Sequence, residues 1–261
     1  MINTIIFDLD DTLLWDNKSV AVSLRETCSY AEEKCGVSAS LLEQAIRSEA
    51  PASYIETGVY DFTQSIGINP FEGLWGDFDD AGEKFQAMKM VIPGYRHTAW
   101  TRSLKKSGVD DNTLARELSE YFPRMRRKNA FVYDDTFQVL EQLKKSYQLV
   151  LLTNGSPSLQ QTKLEMTPEI APYFDDIVVS GAFGIGKPDP SIFEFALSKT
   201  GSSKAEALMV GDNLMTDILG ANRAGIKSVW LNRENKPSHE AIFPDFEIHD
   251  LQELVPLLKE L

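Results

Sequence analysis

The stretch Ile5-Ile-Phe-Asp-Leu-Asp-Asp-Thr-Leu-Leu-Trp-Asp16 carries the reading of this chain. Apolar residues run without alternation into a cluster of acids, Asp8, Asp10 and Asp11, with Asp16 close behind. An unalternating apolar run is the signature of a strand buried on both faces, the situation in a parallel sheet covered by helices. Carboxylates packed so closely repel one another, so such a cluster at a strand end calls for a cation or a buried base nearby.

Further along, the pattern divides in two. From about Lys18 to Ala130 the signal is helical. In "KSVAVSLRETCSYAEEKCG" Val20, Leu24, Cys28, Ala31 and Cys35 fall on one face and Gly36 ends the run. "SASLLEQAIRSEA" starts on Ser38 or Ser40 as a cap. "YRHTAWTRSLKKSG" and "DDNTLARELSEYFPRM" predict two more helices, the second interrupted by Pro123. Gly67 to Gly82, with its glycines and acids, predicts an irregular, exposed segment, although Phe71, Trp75, Phe78 and Phe85 read as local core. After Asn129, strands and amphipathic helices alternate: "DDTFQVLEQLKKSY", "QLVLLT", "DIVVS", "DPSIFEFALSKTG", "AEALMVGD", "TDILGANRAG", "IKSVWLN" and "FEIHDLQELVPLLKEL". That order predicts an α/β, Rossmann-like parallel sheet to which the N-terminal strand belongs. The domains are accordingly 1–16 with 131–261, and an inserted all-helical module over 17–130.

Composition narrows the function classes. The 261 residues carry 26 basic and 39 acidic side chains, a net charge of −13, which argues against general nucleic-acid binding. Residues 17–131 hold 15 basic and 16 acidic groups, leaving 11 and 23 for the rest, so the acidity sits outside the helical module. The module's basic residues bunch at Arg96–Lys106 and Arg124–Lys128. No apolar run reaches the roughly 20 residues of a membrane span, and no signal peptide is expected, because no basic segment or cleavage site precedes the first strand. Cys28 and Cys35, about 10 Å apart along one helix, are too distant for a disulfide and read as reduced, buried thiols.

Ligands of open parallel sheets bind beyond the carboxyl ends of the strands. Strand ends or the loops after them carry Asp8; Thr153, Asn154 and Gly155; Lys187 in "GIGKPDP"; and Asp212 with Asp217 in "GDNLMTD". A nucleophile, a hydroxyl, a cation and an acidic pair thus converge on one edge. Asp189 and Pro190 are suited to start a helix that fixes the Lys187 loop, and Gly211 permits close backbone approach. Asp11 and Thr12 read as turn residues.

Taken in order, "DLDDT", "TNG", "GKP" and "GDNLMTD" resemble the four motifs of the haloacid dehalogenase superfamily, and the helical insertion resembles its C1-type cap. The resemblance implies a Mg²⁺-dependent phosphatase working through an aspartyl-phosphate. By it, Asp8 is the nucleophile and a metal ligand, and Asp10 carries the proton and offers its backbone carbonyl to the metal. Asp212 and Asp217 complete the metal's shell, while Thr153, the Asn154 amide and Lys187 hold the phosphoryl group. It further implies a cytoplasmic monomer or homodimer, acting on a small phosphorylated metabolite and not on nucleic acid or membrane. Substrate choice would belong to the cap, with phosphoserine as the lead and phosphoglycolate or a nucleoside monophosphate as other candidates. The metal-free dehalogenases of this superfamily lack an acid two residues after the nucleophile, so Asp10 points away from them. Sugar-phosphate mutases share the four motifs, phosphonatases use a cap lysine for which Lys18 is the nearest candidate, and a non-catalytic regulatory module stands as the reading of another class. His97 is a candidate substrate contact, His239 and His249 read as surface residues, and Trp15 and Asp16 lie in a segment that this family uses as a flap.

Overall fold

The computed structural model describes all 261 residues. Chain contacts divide them into two compact units, Met1–Trp15 with Val132–Leu261, and Asp16–Phe131.

The first unit is built on a six-stranded parallel sheet. Its strands are β1 (Thr4–Phe7), β2 (Gln148–Thr153), β3 (Asp176–Val179), β4 (Ala207–Gly211), β5 (Lys227–Leu231) and β6 (Phe246–Ile248), in the spatial order β3-β2-β1-β4-β5-β6. The N-terminal strand therefore lies in the middle, flanked by strands more than a hundred residues later in the chain. Its residues are buried on both sides. Ile5 and Phe7 pack with Leu149, Leu151, Leu208 and Val210 on one face, and Ile6 packs with Val150, Leu152 and Met209 on the other. This is why the sequence shows no alternation.

Register decides what reaches the edge. Phe7 is level with Leu151 and Val210, and the Asp8 amide still donates to the Val210 carbonyl at 3.0 Å. Asp8 therefore emerges between the ends of β2 and β4. The order reverses between β1 and β4, the position where open α/β sheets form their crevice.

The second unit is helical: α1 (Asp16–Cys35), α2 (Ala39–Ile55), α3 (Tyr60–Ile66), α4 (Pro70–Gly73), α5 (Glu83–Lys106) and α6 (Asn112–Lys128). The remaining helices belong to the sheet unit: α7 (Thr136–Leu143), α8 (Pro157–Met166), α9 (Ser180–Phe183), α10 (Pro190–Thr200), α11 (Leu219–Ala224) and α12 (Leu254–Leu257). No helix is long and apolar enough to cross a membrane.

Four details depart from expectation. Pro123 does not interrupt α6. The helix is capped by Asp111, which accepts from the amides of Thr113 and Leu114, and it buries the stripe Leu114, Leu118, Phe122, Arg126; that packing outweighs one missing backbone donor. The segment from Gly67 to Gly82 is not an exposed loop. An Asn69–Glu72 capping box starts α4, and Leu74, Trp75 and Phe78 are buried. Arg96 of α5 pins it by donating to the carbonyls of Gly73 and Gly76. In α1, Ser23 and Thr27 join the buried face because their hydroxyls donate back to carbonyls one turn earlier. Both cysteines are free, but only Cys28 is buried; Cys35 is exposed.

Candidate active site

The β1 end gathers most of the candidate residues. Asp8, first after β1, is buried and ion-paired with Lys187, whose Nζ donates to its Oδ1 at 2.6 Å. The same ammonium lies 2.7 Å from Asp217 Oδ1 and donates to the Leu152 carbonyl at 2.8 Å. Lys187 is 5% exposed, so its charge survives only because two carboxylates face it. The loop that carries it is fixed from both ends. Asp189 caps α10, and the Asn154 side chain clamps the Lys187 backbone, accepting from its amide at 2.9 Å and donating to its carbonyl at 3.0 Å. Gly186 permits the clamp, since a Cβ there would collide with the Asn154 side chain. The Asn154 side chain is thus committed to the loop, and only its backbone amide is left as a candidate for a phosphoryl oxygen.

A π-helical turn, Leu214–Ile218, follows β4 and carries Asp217 back under the strand end. There Asp217 is fully buried and accepts from the Asn213 amide at 3.1 Å. A Cβ on Gly211 would run into the Asp217 carboxylate, so glycine at this strand end is a packing requirement. Thr12 does more than form a turn. Its hydroxyl donates to Asp8 Oδ2 at 3.4 Å and accepts from the Asp212 amide at 3.1 Å, tying the loop after β1 to the end of β4. Asp11 takes the turn role, with φ of 59° and its amide donating to the Leu14 carbonyl.

Carboxylate oxygens of Asp8, Asp212 and Asp217 lie within 4.8 Å of one another. Burial pushes the Asp8 carboxyl up to about 6; Lys187 pulls against that and Asp217 adds to it. Asp212 is raised well above the ordinary range, first by burial and then by Asp8, Asp217 and Asp11. For Lys187 burial works against the charge, but Asp217 and Asp8 together outweigh it and hold the ammonium above its usual value. Three crowded carboxylates facing one buried ammonium leave an excess of negative charge. An all-oxygen donor set of that kind suits a hard divalent cation.

Asp10 belongs to a different group. Its Oδ2 accepts from Lys163 Nζ at 2.8 Å and from Gln160 Nε2 at 3.2 Å. Gln160 Nε2 also reaches Thr153 Oγ1 at 2.6 Å, so one amide links the proton-carrier candidate to the end of β2. Neither Gln160 nor Lys163 was singled out by sequence motif. The available signal was positional: both fall with Leu159 and Leu164 on the buried stripe of α8, where an amide and an ammonium need a partner. Arg233 was also missed. It pairs with Asp135 at 2.8 Å, donates to the Thr12 carbonyl at 3.2 Å and stacks 3.9 Å over Tyr133, which in turn stacks on Trp15.

Candidates outside this edge fall elsewhere. Lys18 lies over the Phe131 ring, and His239 and His249 are exposed.

Comparison with known proteins follows the same lines. The family of haloacid dehalogenase-like hydrolases matches residues 2–225. A phosphoserine phosphatase of Thermus thermophilus is 34% identical over 250 residues, covering 96% of each chain. The N-acylneuraminate-9-phosphatase of Mus musculus is 33% identical over 69% of this chain and 73% of its own. Among solved structures, that of the HAD-hydrolase YfnB from Bacillus subtilis bound to magnesium superposes over 98% of both chains, with a TM-score of 0.68 and 24% identity. The parallel sheet, its four loaded strand ends and this match over most of the chain place the protein among the haloacid dehalogenase-like hydrolases.

Proposed function

We propose that this protein is a Mg²⁺-dependent phosphomonoester hydrolase that works through an aspartyl-phosphate on Asp8. The observation that carries the reading is the second carboxylate two residues on. Asp10 stands apart from the buried Asp8–Lys187 pair, held by Lys163 and Gln160 as a separate proton carrier. A departing halide needs no proton, whereas an alkoxide departing from phosphorus needs one, and the water of the second half must give one up.

In the first half, an Asp8 oxygen bonds to phosphorus, the ester P–O bond breaks, and Asp10 delivers a proton to the leaving oxygen. In the second, Asp10 takes a proton from water, whose oxygen attacks phosphorus. The bond to Asp8 breaks and inorganic phosphate leaves. The Lys163 and Gln160 contacts hold the Asp10 carboxyl in one place for both proton transfers. Lys187, Thr153 and the Asn154 backbone amide are assigned to the phosphoryl oxygens. The carboxylates of Asp8, Asp212 and Asp217, with the Asp10 backbone carbonyl, would hold Mg²⁺. When bound, the ion offsets the repulsion between an anionic nucleophile and an anionic phosphate.

Phosphoserine is the lead substrate, supported by the relative from Thermus thermophilus, which is similar along nearly its whole length. Phosphoglycolate and nucleoside monophosphates are the next to test. The decisive experiment is a panel of phosphorylated metabolites with Mg²⁺, compared by kcat/KM, with Asp8→Asn as the control. Turnover of at least one small monoester, abolished in the variant, is expected. A panel without turnover, or an active Asp8→Asn enzyme, sinks the proposal.

A further inference from the structure

Of the three carboxylates assigned to the divalent cation, two are held by their side chains. Lys187 pairs with Asp8 and Asp217, and Asp217 also accepts from the Asn213 amide. The Asp212 carboxylate has no hydrogen bond or ion pair within the chain, so its place is set by its backbone. That backbone is gripped on both sides. The Asp212 amide donates to Thr12 Oγ1 at 3.1 Å, and its carbonyl accepts from the Trp230 indole at 2.8 Å. Trp230 stands level with Gly211 across the β4–β5 pairing and is buried with Ile218 and Ile242, so its indole meets the residue that follows Gly211.

The Thr12 grip is itself anchored beyond β5. Arg233, two residues past the end of that strand, donates from Nη2 to the Thr12 carbonyl at 3.2 Å. The same guanidinium engages both oxygens of Asp135, at 2.8 and 2.9 Å, and lies 3.9 Å over the Tyr133 ring. Asp135 is buried and accepts in turn from the Leu251 amide at 2.9 Å. A buried pair of this kind adds little net stability, because desolvation of the two charges offsets most of their attraction. Arg233 Nε is in addition buried without a hydrogen-bond partner, a further cost. What a rigid, planar fork does better than an apolar side chain is fix direction.

We propose that Trp230 and Arg233 are positioning residues for the Asp212 carboxylate. Trp230 holds the Asp212 backbone directly, and Arg233 holds it through Thr12. The inference rests on the divalent-cation part of the phosphatase reading. Groups that orient metal ligands in this way typically change metal affinity by about tenfold to a hundredfold when lost.

The test is Mg²⁺ binding by calorimetry on the full-length protein, which needs no turnover. Arg233→Lys keeps the charge but loses the fork, and Trp230→Phe keeps a ring but loses the donor. Each should raise the Mg²⁺ Kd by about tenfold or more. Asp135→Asn breaks the fork from its other side and should act in the same direction. Leu197→Ala is the control for lost stability, since it removes packing from the core cluster around Ile6 and Met209 and touches none of these groups. It should leave the Kd within about twofold of the parent while lowering Tm as the other variants do. Should Trp230→Phe fail to fold by thermal melting, Arg233→Lys and Asp135→Asn carry the test. Variants that bind Mg²⁺ as the parent does, or a Leu197→Ala protein that loses as much affinity as they do, would overturn the proposal. A parent that binds no Mg²⁺ at millimolar concentration would remove the cation reading and this inference with it, so the two failures are told apart by the parent alone.

Discussion

Replacing Lys187 with methionine probes the centre of the site. The change keeps most of the volume of the stem but removes the cation between Asp8 and Asp217, at 2.6 and 2.7 Å, and the donor to the Leu152 carbonyl. With Lys187 5% exposed, both carboxylates lose a partner that water cannot replace. Breaking a buried pair by deleting one member costs about 3–5 kcal/mol. For a protein of this size that corresponds to a fall in Tm of roughly 10 °C. The loss should depend on pH in a definite direction. Asp8 already sits at about 6 with Lys187 present, and without it the folded carboxyl rises further above the value near 4 of an unfolded chain. A raised carboxyl costs most above its folded pKa, so the destabilisation relative to the parent is larger at pH 7.5 than at pH 5 and shrinks as pH falls toward and below about 6. The assay is thermal and urea unfolding by circular dichroism in chelator, at pH 7.5 and 5, repeated with Mg²⁺. The added cation should return part of the stability, because it supplies the missing positive charge. A loss below about 1 kcal/mol at pH 7.5, or one that grows on acidification, would refute the idea that Lys187 neutralises these carboxylates.

Four further outcomes follow from the same geometry. Gly211→Ala should displace the Asp217 carboxylate, costing about 1–3 kcal/mol and weakening Mg²⁺ binding, measured by melting and calorimetry. Lys163→Met removes one of the donors that hold Asp10, so rapid-quench kinetics should find formation and hydrolysis of the phosphoenzyme both slowed by about tenfold or more; unchanged rates in both steps would contradict the assignment. Mg²⁺ affinity should fall as pH drops below about 6, with proton uptake on release, since Asp8 must be ionised to bind; calorimetry in buffers of different ionisation enthalpy checks this. A thiol reagent should modify the exposed Cys35 in the native protein. Cys28, buried and pushed up to about 12 by burial with Glu43 adding to the rise, should react only after denaturation.

Much of this protein is legible in its sequence. An apolar run without alternation marked β1 as a strand buried on both faces, and its distance from the other strands announced an insertion. Acids, a threonine, a lysine and a second acidic pair at successive strand ends named the residues around Asp8, because short motifs there are local in sequence. The misreadings have a common cause. Local propensity points the wrong way at Pro123 and in the Gly67–Gly82 segment, because the burial of Phe122 and Arg126, and of Trp75 and Phe78, decides their structure.

What the sequence determined by itself was periodicity, element order and the identity of groups standing at strand ends, all set by residues near one another in the chain. Only the tertiary structure decided which carboxylate Lys187 serves, that Lys163 and Gln160 hold Asp10, and that Arg126 lies buried with donors to spare. Those facts depend on side chains brought together from across the chain, 153 residues apart for Lys163 and Asp10, by register and burial. The physical reason is that a charge's partner is chosen by distance and desolvation in the folded interior, and neither quantity is written in the local pattern.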